Sequence, residues 1–286
     1  MIRLLVLGGS GFVGPALVGE GLERGWEVAT FNRGRSAVQG DPRVRRLRGD
    51  RTGPATLGPL ADQAWDVVVD TWSGAPTAVR DAVAVLGGRV GHYVYISSAS
   101  VYAPPLAVGL DEAAPVVAGS PDDRDDGDYA RAKRGAELAV VDGMGEHGLL
   151  IRAGLILGPG EDVGRLLWWL ERMARGGEVL APGPPQRPLA LIDARDLARF
   201  ALDAAVAGLD GPYNVVSRRG HATMASLLHA CADCAGTVDL RLVWATPEVI
   251  AGCGIEPWTE LPIWLPPGTD YEGMHGCGVE RRTRPG

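Results

Sequence analysis

The stretch Ile2-Arg3-Leu4-Leu5-Val6-Leu7-Gly8-Gly9-Ser10-Gly11-Phe12-Val13-Gly14 decides the fold. Its first six residues form a short apolar run of the kind buried in a parallel sheet, where both faces of a strand are covered. Three glycines follow at the spacing Gly8-x-x-Gly11-x-x-Gly14, then an Ala/Leu/Val/Glu segment of helix-forming composition. Strand, glycine-rich turn and helix make up the context that a dinucleotide site requires. The absent side chains let backbone amides approach a pyrophosphate, and the helix N-terminus turns its partial positive charge toward that anion. Gly8, Gly11 and Gly14, with Phe12 and Val13 between them, are therefore candidate cofactor residues.

The alternation continues outward from this turn. A second strand over 27–31 ends in Asn32-Arg33-Gly34-Arg35-Ser36. An acidic residue at that strand end would bond a ribose 2′-hydroxyl and select NAD(H). The slot instead holds Asn32, followed by Arg33, Arg35 and Ser36. Neutral and cationic groups suit a 2′-phosphate, so NADP(H) is favoured over NAD(H). A third strand (44–47) ends at Gly49-Asp50-Arg51, where Asp50 can accept from an adenine amino group and Arg51 is a further candidate cofactor residue. The fourth (65–70) runs into Thr71-Trp72-Ser73-Gly74 at the carboxyl edge of the sheet, the edge where such folds bind ligands. A helix over 77–86 leads to the fifth strand (92–96), which closes into Ser97-Ser98-Ala99-Ser100-Val101-Tyr102.

Composition narrows the function classes. The chain has 286 residues, 46% of them hydrophobic, enough to bury a sizeable core as one large domain or one domain with a lobe. A net charge of -7 argues against a nucleic-acid partner. The arginine cluster 43, 45, 46, 48 and 51 is the local exception and reads as a solvated strand edge. No apolar run reaches membrane-spanning length, so no membrane contact is expected. The apolar N-terminus runs into the glycine motif rather than a signal-peptide cleavage site, which points to the cytoplasm. Four cysteines do not make a disulfide scaffold at this size, and Cys231-x-x-Cys234 lacks two further ligands at a recognised spacing; packing cysteines and no metal are expected.

One spacing carries chemistry. Lys133 is the only lysine among 28 cationic side chains, and it stands four residues after Tyr129 in a run from Asp128 to Val140 that reads as helix, with Asp126 or Asp128 as its cap. Residues four apart share a helix face, so phenol and ammonium can face one ligand. A nearby cation favours tyrosinate, which fits Tyr129 to exchange a proton with a substrate oxygen. Arginine, with its higher pKa and planar fork, does not substitute for a compact ammonium.

The glycine turn, the βαβαβ alternation and Tyr-x-x-x-Lys about 30 residues beyond a serine-rich strand end resemble the extended short-chain dehydrogenase/reductase superfamily. More closely, the chain is similar to the NAD-dependent epimerase/dehydratase branch. The resemblance continues through Leu149–Gly160, including Ile156, and through Leu191-Ile192-Asp193-Ala194-Arg195-Asp196-Leu197-Ala198. It implies an α/β fold: a Rossmann-type doubly wound parallel sheet with a smaller C-terminal substrate-binding lobe. Residues 1–158 would form the nucleotide-binding domain, rejoined by part of 188–216, and 159–286 mainly the lobe. Counting back from the Val-Tyr pair selects Ser98 over Ser97. Ser98 would then hydrogen-bond the substrate oxygen, Tyr129 transfer its proton, and Lys133 hold the nicotinamide ribose and lower the tyrosine pKa.

Two departures narrow the reaction that the resemblance implies. Family dehydratases carry an Asp-Glu pair where this chain has Ala99 and Ser100, so elimination lacks its acid and base. Sugar-nucleotide epimerases carry an arginine at the position of Leu189, whereas the arginine here is Arg187. The leading expectation is an NADP(H)-dependent oxidoreductase of a small carbonyl or alcohol. The alternatives are an epimerase that retains its cofactor and a non-catalytic nucleotide- or RNA-binding relative. Ser73, Ser100, Arg165, Trp168 and Arg187 are candidate substrate residues. The tryptophans of 160–181 and 246–267 read mainly as lobe core. By resemblance the protein is expected to be a homodimer, and its arginine bias suggests a GC-rich bacterial genome.

Overall fold

The computed structural model describes residues 1–34 and 41–279, so Arg35 and Ser36 lie outside the described residues. Strand β1 (Arg3–Leu7) leads through the glycine turn into helix α1 (Val13–Glu23), then β2 (Glu27–Asn32) and β3 (Arg45–Arg48). Next come β4 (Trp65–Asp70), α2 (Thr77–Leu86) and β5 (Val90–Ser98), followed by α3 (Tyr129–Met144) and β6 (Gly148–Ala153). The order β3-β2-β1-β4-β5-β6 reverses direction at β1, which opens a crevice at the carboxyl edge beside the glycine turn. Every pairing in this sheet is parallel. Leu4, Leu5, Val6, Val68, Val69 and Val94 are buried, as strands covered on both faces must be.

The boundaries read from sequence hold for β4 and α2. Elsewhere they shift: β5 is extended at both ends by its pairing with β4 and β6, and β3 starts one residue later. Arg45, Arg46 and Arg48 lie exposed on β3, the edge strand. Of the two cap candidates, Asp128 is the one used, its carboxylate accepting from the Arg131 N–H at 3.1 Å.

After β6 the chain adds a short strand, β7 (Leu155–Leu157), and the lobe elements α4 (Arg165–Ala174) and β8 (Glu178–Pro182). Strands β9 (Pro188–Leu189) and β10 (Leu191–Asp193) precede α5 (Ala194–Val206) and β11 (Gly211–Val215). β11 pairs with β6 as the seventh strand of the main sheet, and α5 packs beneath that sheet. The remaining elements, β12 (Ala222–Thr223), α6 (Met224–Ala235), β13 (Arg241–Ala245) and α7 (Pro247–Gly252), complete the lobe. Strand β8 was not read from sequence; it is parallel to β13, more than 60 residues away in the chain, a pairing that local pattern cannot announce. The lobe has its own core around Trp169, Met173, Val179, Leu228, Ile250 and Trp264. Cys231 is buried in it and Cys234 is exposed, both as free thiols. No helix among the described residues is long and apolar enough to cross a membrane.

Candidate functional site

The carboxyl edge of the sheet carries two connected cavities. The larger, about 490 Å³, runs from the glycine turn past Ser98, Tyr129 and Lys133 to the lobe. The smaller, about 190 Å³, lies over the ends of β2 and β3 and shares Thr71 and Ser73 with the first. Together they form a groove with a cofactor-sized division into two halves.

The turn itself can only be built from glycine. Gly9 has φ +82°, a conformation that L side chains rarely adopt. A Cβ on Gly14 would fall 2.4 Å from the Gly9 Cα, so helix α1 could not begin this close to the turn. A Cβ on Gly11 would meet only the Asp162 carboxylate, 3.9 Å away, and would project into the space left for a ligand. Phe12, Val13 and Ile156 line the same cavity. These features fit a pyrophosphate cradle at a helix N-terminus.

In the smaller cavity Asn32 is engaged by the turn. Its Nδ2 donates to the Gly8 carbonyl at 3.2 Å, and its Oδ1 accepts from the Gly34 N–H at 2.9 Å. Arg33 lines this cavity, is exposed, and forms no ion pair among the described residues. Asp50 and Trp72 line it as well, and Asp50 accepts from Thr52 at 3.0 Å (N–H) and 2.8 Å (Oγ1). Arg51 is also at the wall, but its guanidinium is held in an ion pair: Nη1 and Nη2 donate to the two oxygens of Asp70 at 2.9 and 2.8 Å. Asp70 is fully buried and accepts from the Tyr93 hydroxyl and the Trp72 N–H as well. Burial works against the ionised carboxylate, but Arg51 overrides it and holds Asp70 below the usual range. What was read as a ligand arginine is thus the buried partner of an aspartate that the sequence reading left unassigned.

In the larger cavity, strand alternation separates the paired serines. The Ser97 hydroxyl donates to buried Glu137 at 2.7 Å, while the Ser98 hydroxyl lies in the cavity, 3.1 Å from Ser100 Oγ. Glu137 is closed in turn by Arg152, which donates through Nε and Nη2 at 3.0 Å each, and by Arg134. Tyr129 is 47% exposed overall, yet its ring borders the cavity beside Ser98. Burial of the phenol raises its pKa, with the Ser98 hydroxyl and the Arg165 charge pulling the other way.

Lys133 lines the same cavity, with its ammonium seated on backbone carbonyls. Its ammonium, 4% exposed, donates to the Trp72 and Ile96 carbonyls at 2.7 and 2.8 Å and lies 4.8 Å from the Tyr95 ring centroid. The Tyr129 ring centroid is farther, at 5.9 Å. Burial depresses the Lys133 pKa to about 8. Two of its three donors are used within the protein, which leaves one for a ligand such as a ribose hydroxyl.

The candidate substrate residues divide. Ser73, Ser100 and Arg165 line the larger cavity. Trp168 does not; it packs edge-on against Trp169 at 4.7 Å, in the lobe core. Arg187 does not either: it is buried, donates weakly to the Pro266 carbonyl at 3.4 Å and faces Glu272 at 3.5 Å. Lining residues not among the sequence candidates include Asp162, Val163, Ala190, Trp258, Met274 and His275. Trp258 has φ +68° and lies under the Arg165 guanidinium at 5.1 Å. His275 accepts from the Ala190 N–H at 3.2 Å and donates to the Ile263 carbonyl at 3.1 Å, and burial takes its pKa down to about 4, so it is a neutral wall residue. Only Asp162, next to a glycine-rich turn, had a local signal.

The sequence model of the NAD dependent epimerase/dehydratase family matches residues 4–215. A search of curated proteins finds no match. Among solved structures, the Bordetella bronchiseptica enzyme WbmH in complex with NAD+ is similar at TM-score 0.68 and 19% identity, covering 87% of this chain and 87% of that one. UDP-glucose 4-epimerase of Thermotoga maritima with UDP-glucose gives TM-score 0.68 and 17% identity, over 97% and 89%. DesIV, a dTDP-glucose 4,6-dehydratase of Streptomyces venezuelae with NAD and TYD bound, gives 0.63 and 19%, over 96% and 95%.

Proposed function

The chain belongs to the NAD-dependent epimerase/dehydratase family, and from that premise we propose that it is an epimerase that inverts a secondary carbinol and keeps its nicotinamide cofactor. The observation that carries this reading is the placement of Ser98 and Tyr129 in one cavity with the glycine cradle, under a lobe that reaches over it through Asp162, Arg165 and Trp258. A covered cofactor is one that can stay through oxidation and return. When bound, the nicotinamide supplies the exchange of hydride.

The side chains have separate tasks. Ser98 holds the carbinol oxygen, and Tyr129 removes its proton and later restores it. Lys133 presents its remaining donor to the ribose and places a positive charge below the site. Ala99 and Ser100 stand where elimination would need carboxyl groups, so the reaction ends at inversion. The absence of an acid at position 32, together with exposed Arg33, supports NADP(H) over NAD(H).

A second reading, net reduction of a ketone, has its own support. Leu189 is buried where a diphosphate-binding arginine would be, and Arg187 is turned to Glu272, which leaves Arg165 and the floor lysine Lys133 as the cations in the cavity. One experiment separates the two. Protein denatured after purification is assayed for released nucleotide, and secondary alcohols and their ketones are followed by NMR and by absorbance at 340 nm. Epimerisation predicts bound nucleotide and an inverted product with no net absorbance change, abolished in Tyr129→Phe. Stoichiometric loss of NADPH with alcohol formation would replace it with the ketoreductase reading.

A further inference from the structure

Tyr129 also borders a third cavity. This groove of about 430 Å³ shares Ser100, Tyr129 and Met274 with the larger cavity; Tyr102, Leu106 and Tyr271 line it too, with Gly127, Asp128 and Ala130 at the start of α3. Its walls are fixed to each other before any ligand arrives. The Leu106 N–H donates to the Asp270 carbonyl at 2.7 Å, the Gly273 N–H returns to the Leu106 carbonyl at 3.1 Å, and the Gly109 N–H donates to the Gly276 carbonyl at 2.7 Å. Tyr271, 48% exposed, presents its ring at the rim, and none of its side-chain atoms is hydrogen-bonded among the described residues. The Tyr102 hydroxyl is taken up by Asn214, which leaves only its ring for the groove.

We propose that this groove is a substrate subsite for a neutral apolar or aromatic portion attached next to the reacting carbon. Continuity is the first argument: a molecule whose carbinol lies between Ser98 and Tyr129 has its next atoms at Ser100 and Met274, the residues both cavities share. Charge is the second. No cation lines the groove, Asp128 lines it, and residues 119–128 at its edge carry five aspartates against one arginine. A phosphate or nucleoside diphosphate placed there would face carboxylates without a counter-charge. The walls, three tyrosine rings, a leucine and a methionine, favour apolar area instead.

The inference rests on the redox reading of Tyr129, common to both functions proposed above, so its test measures binding apart from turnover. Protein loaded with NADPH is titrated calorimetrically with butanone and with 4-phenyl-2-butanone, which differ by one phenyl group. Burial of that ring in a preformed groove predicts about tenfold or more tighter binding of the phenyl ketone. Tyr271→Ala, which removes one wall, and Ala130→Trp, which fills the groove from the start of α3, should each erase most of that preference, with thermal unfolding as the folding control. Equal binding of the two ketones, binding of neither, or a preference that survives both variants overturns the subsite. A preference that responds to the variants without any turnover upholds the subsite and rejects the redox reading instead.

Discussion

Three buried cations stand on or close to helix α3, and the chain treats them in two ways. Arg51 and Arg152 are each closed by a bidentate carboxylate, Asp70 and Glu137, with every oxygen of the pair engaged. Lys133 is as deeply buried, yet its ammonium bonds only two neutral carbonyls. The paired charges cancel and hold backbone in place. The lysine has no carboxylate in hydrogen-bond contact, only the more distant pull of Asp70 and Glu137, and keeps an unused donor in the floor of the site. Burial without pairing costs stability and is retained where the charge has work to do on a ligand.

The largest effect expected from breaking this contrast is in turnover. Lys133→Met should lower activity by roughly 10²–10⁴-fold, the range for a group that assists proton transfer. It should also change the pH dependence of stability. The ammonium's pKa is about 8 in the folded chain, below its unfolded value of 10.5. Between those values the unfolded chain binds more protons, so the wild type gains stability relative to Lys133→Met as pH rises through the window. Below pH 8 the difference is constant. Urea midpoints at pH 7, 8.5 and 10 measure it, and a difference flat across all three would mean that burial does not strain the ammonium.

Removing one member of a closed pair should act on stability first. Asp70→Ala leaves the Arg51 guanidinium buried without its counter-charge and is expected to cost about 3–5 kcal/mol. The same carboxylate accepts from the Trp72 N–H, and the Trp72 carbonyl accepts from Lys133 and from the Tyr95 hydroxyl. Loss of Asp70 therefore loosens the seat of the ammonium as well. Chemical unfolding of the variant settles the size of the effect; a cost under about 1 kcal/mol would place the pair among weakly contributing ion pairs.

These residues also show where sequence was sufficient. The glycine turn, α2 and the Tyr129–Lys133 face were legible because each depends on neighbours a few positions away in the chain. Ser98 was separable from Ser97 only through the family resemblance, by counting back from the Val-Tyr pair; strand alternation explains why the two hydroxyls part. Arg51 was misread because Asp70, which neutralises it, is 19 residues distant and joined to it only when β3 and β4 end at the same edge. Trp258, Met274 and His275 reach the cavity from the lobe across more than 100 residues, with no local pattern to mark them. Trp168 and Arg187 carried the right chemistry, but packing turned them away.

The smallest expected effect concerns a cation of a third kind, unpaired but in water. Arg33 is exposed at the adenosine-side cavity, where Asn32 is occupied with the glycine turn. A guanidinium there loses little by staying solvated until a 2′-phosphate arrives, so its removal should spare folding. Arg33→Ala is expected to weaken NADPH binding about tenfold, close to 1.4 kcal/mol, and to leave NADH binding unchanged. Because the charge is solvated, added salt should shrink the wild-type preference toward that of the variant. Equal losses for the two nucleotides would move Arg33 to the shared part of the cofactor, and no loss for either would remove it from the site.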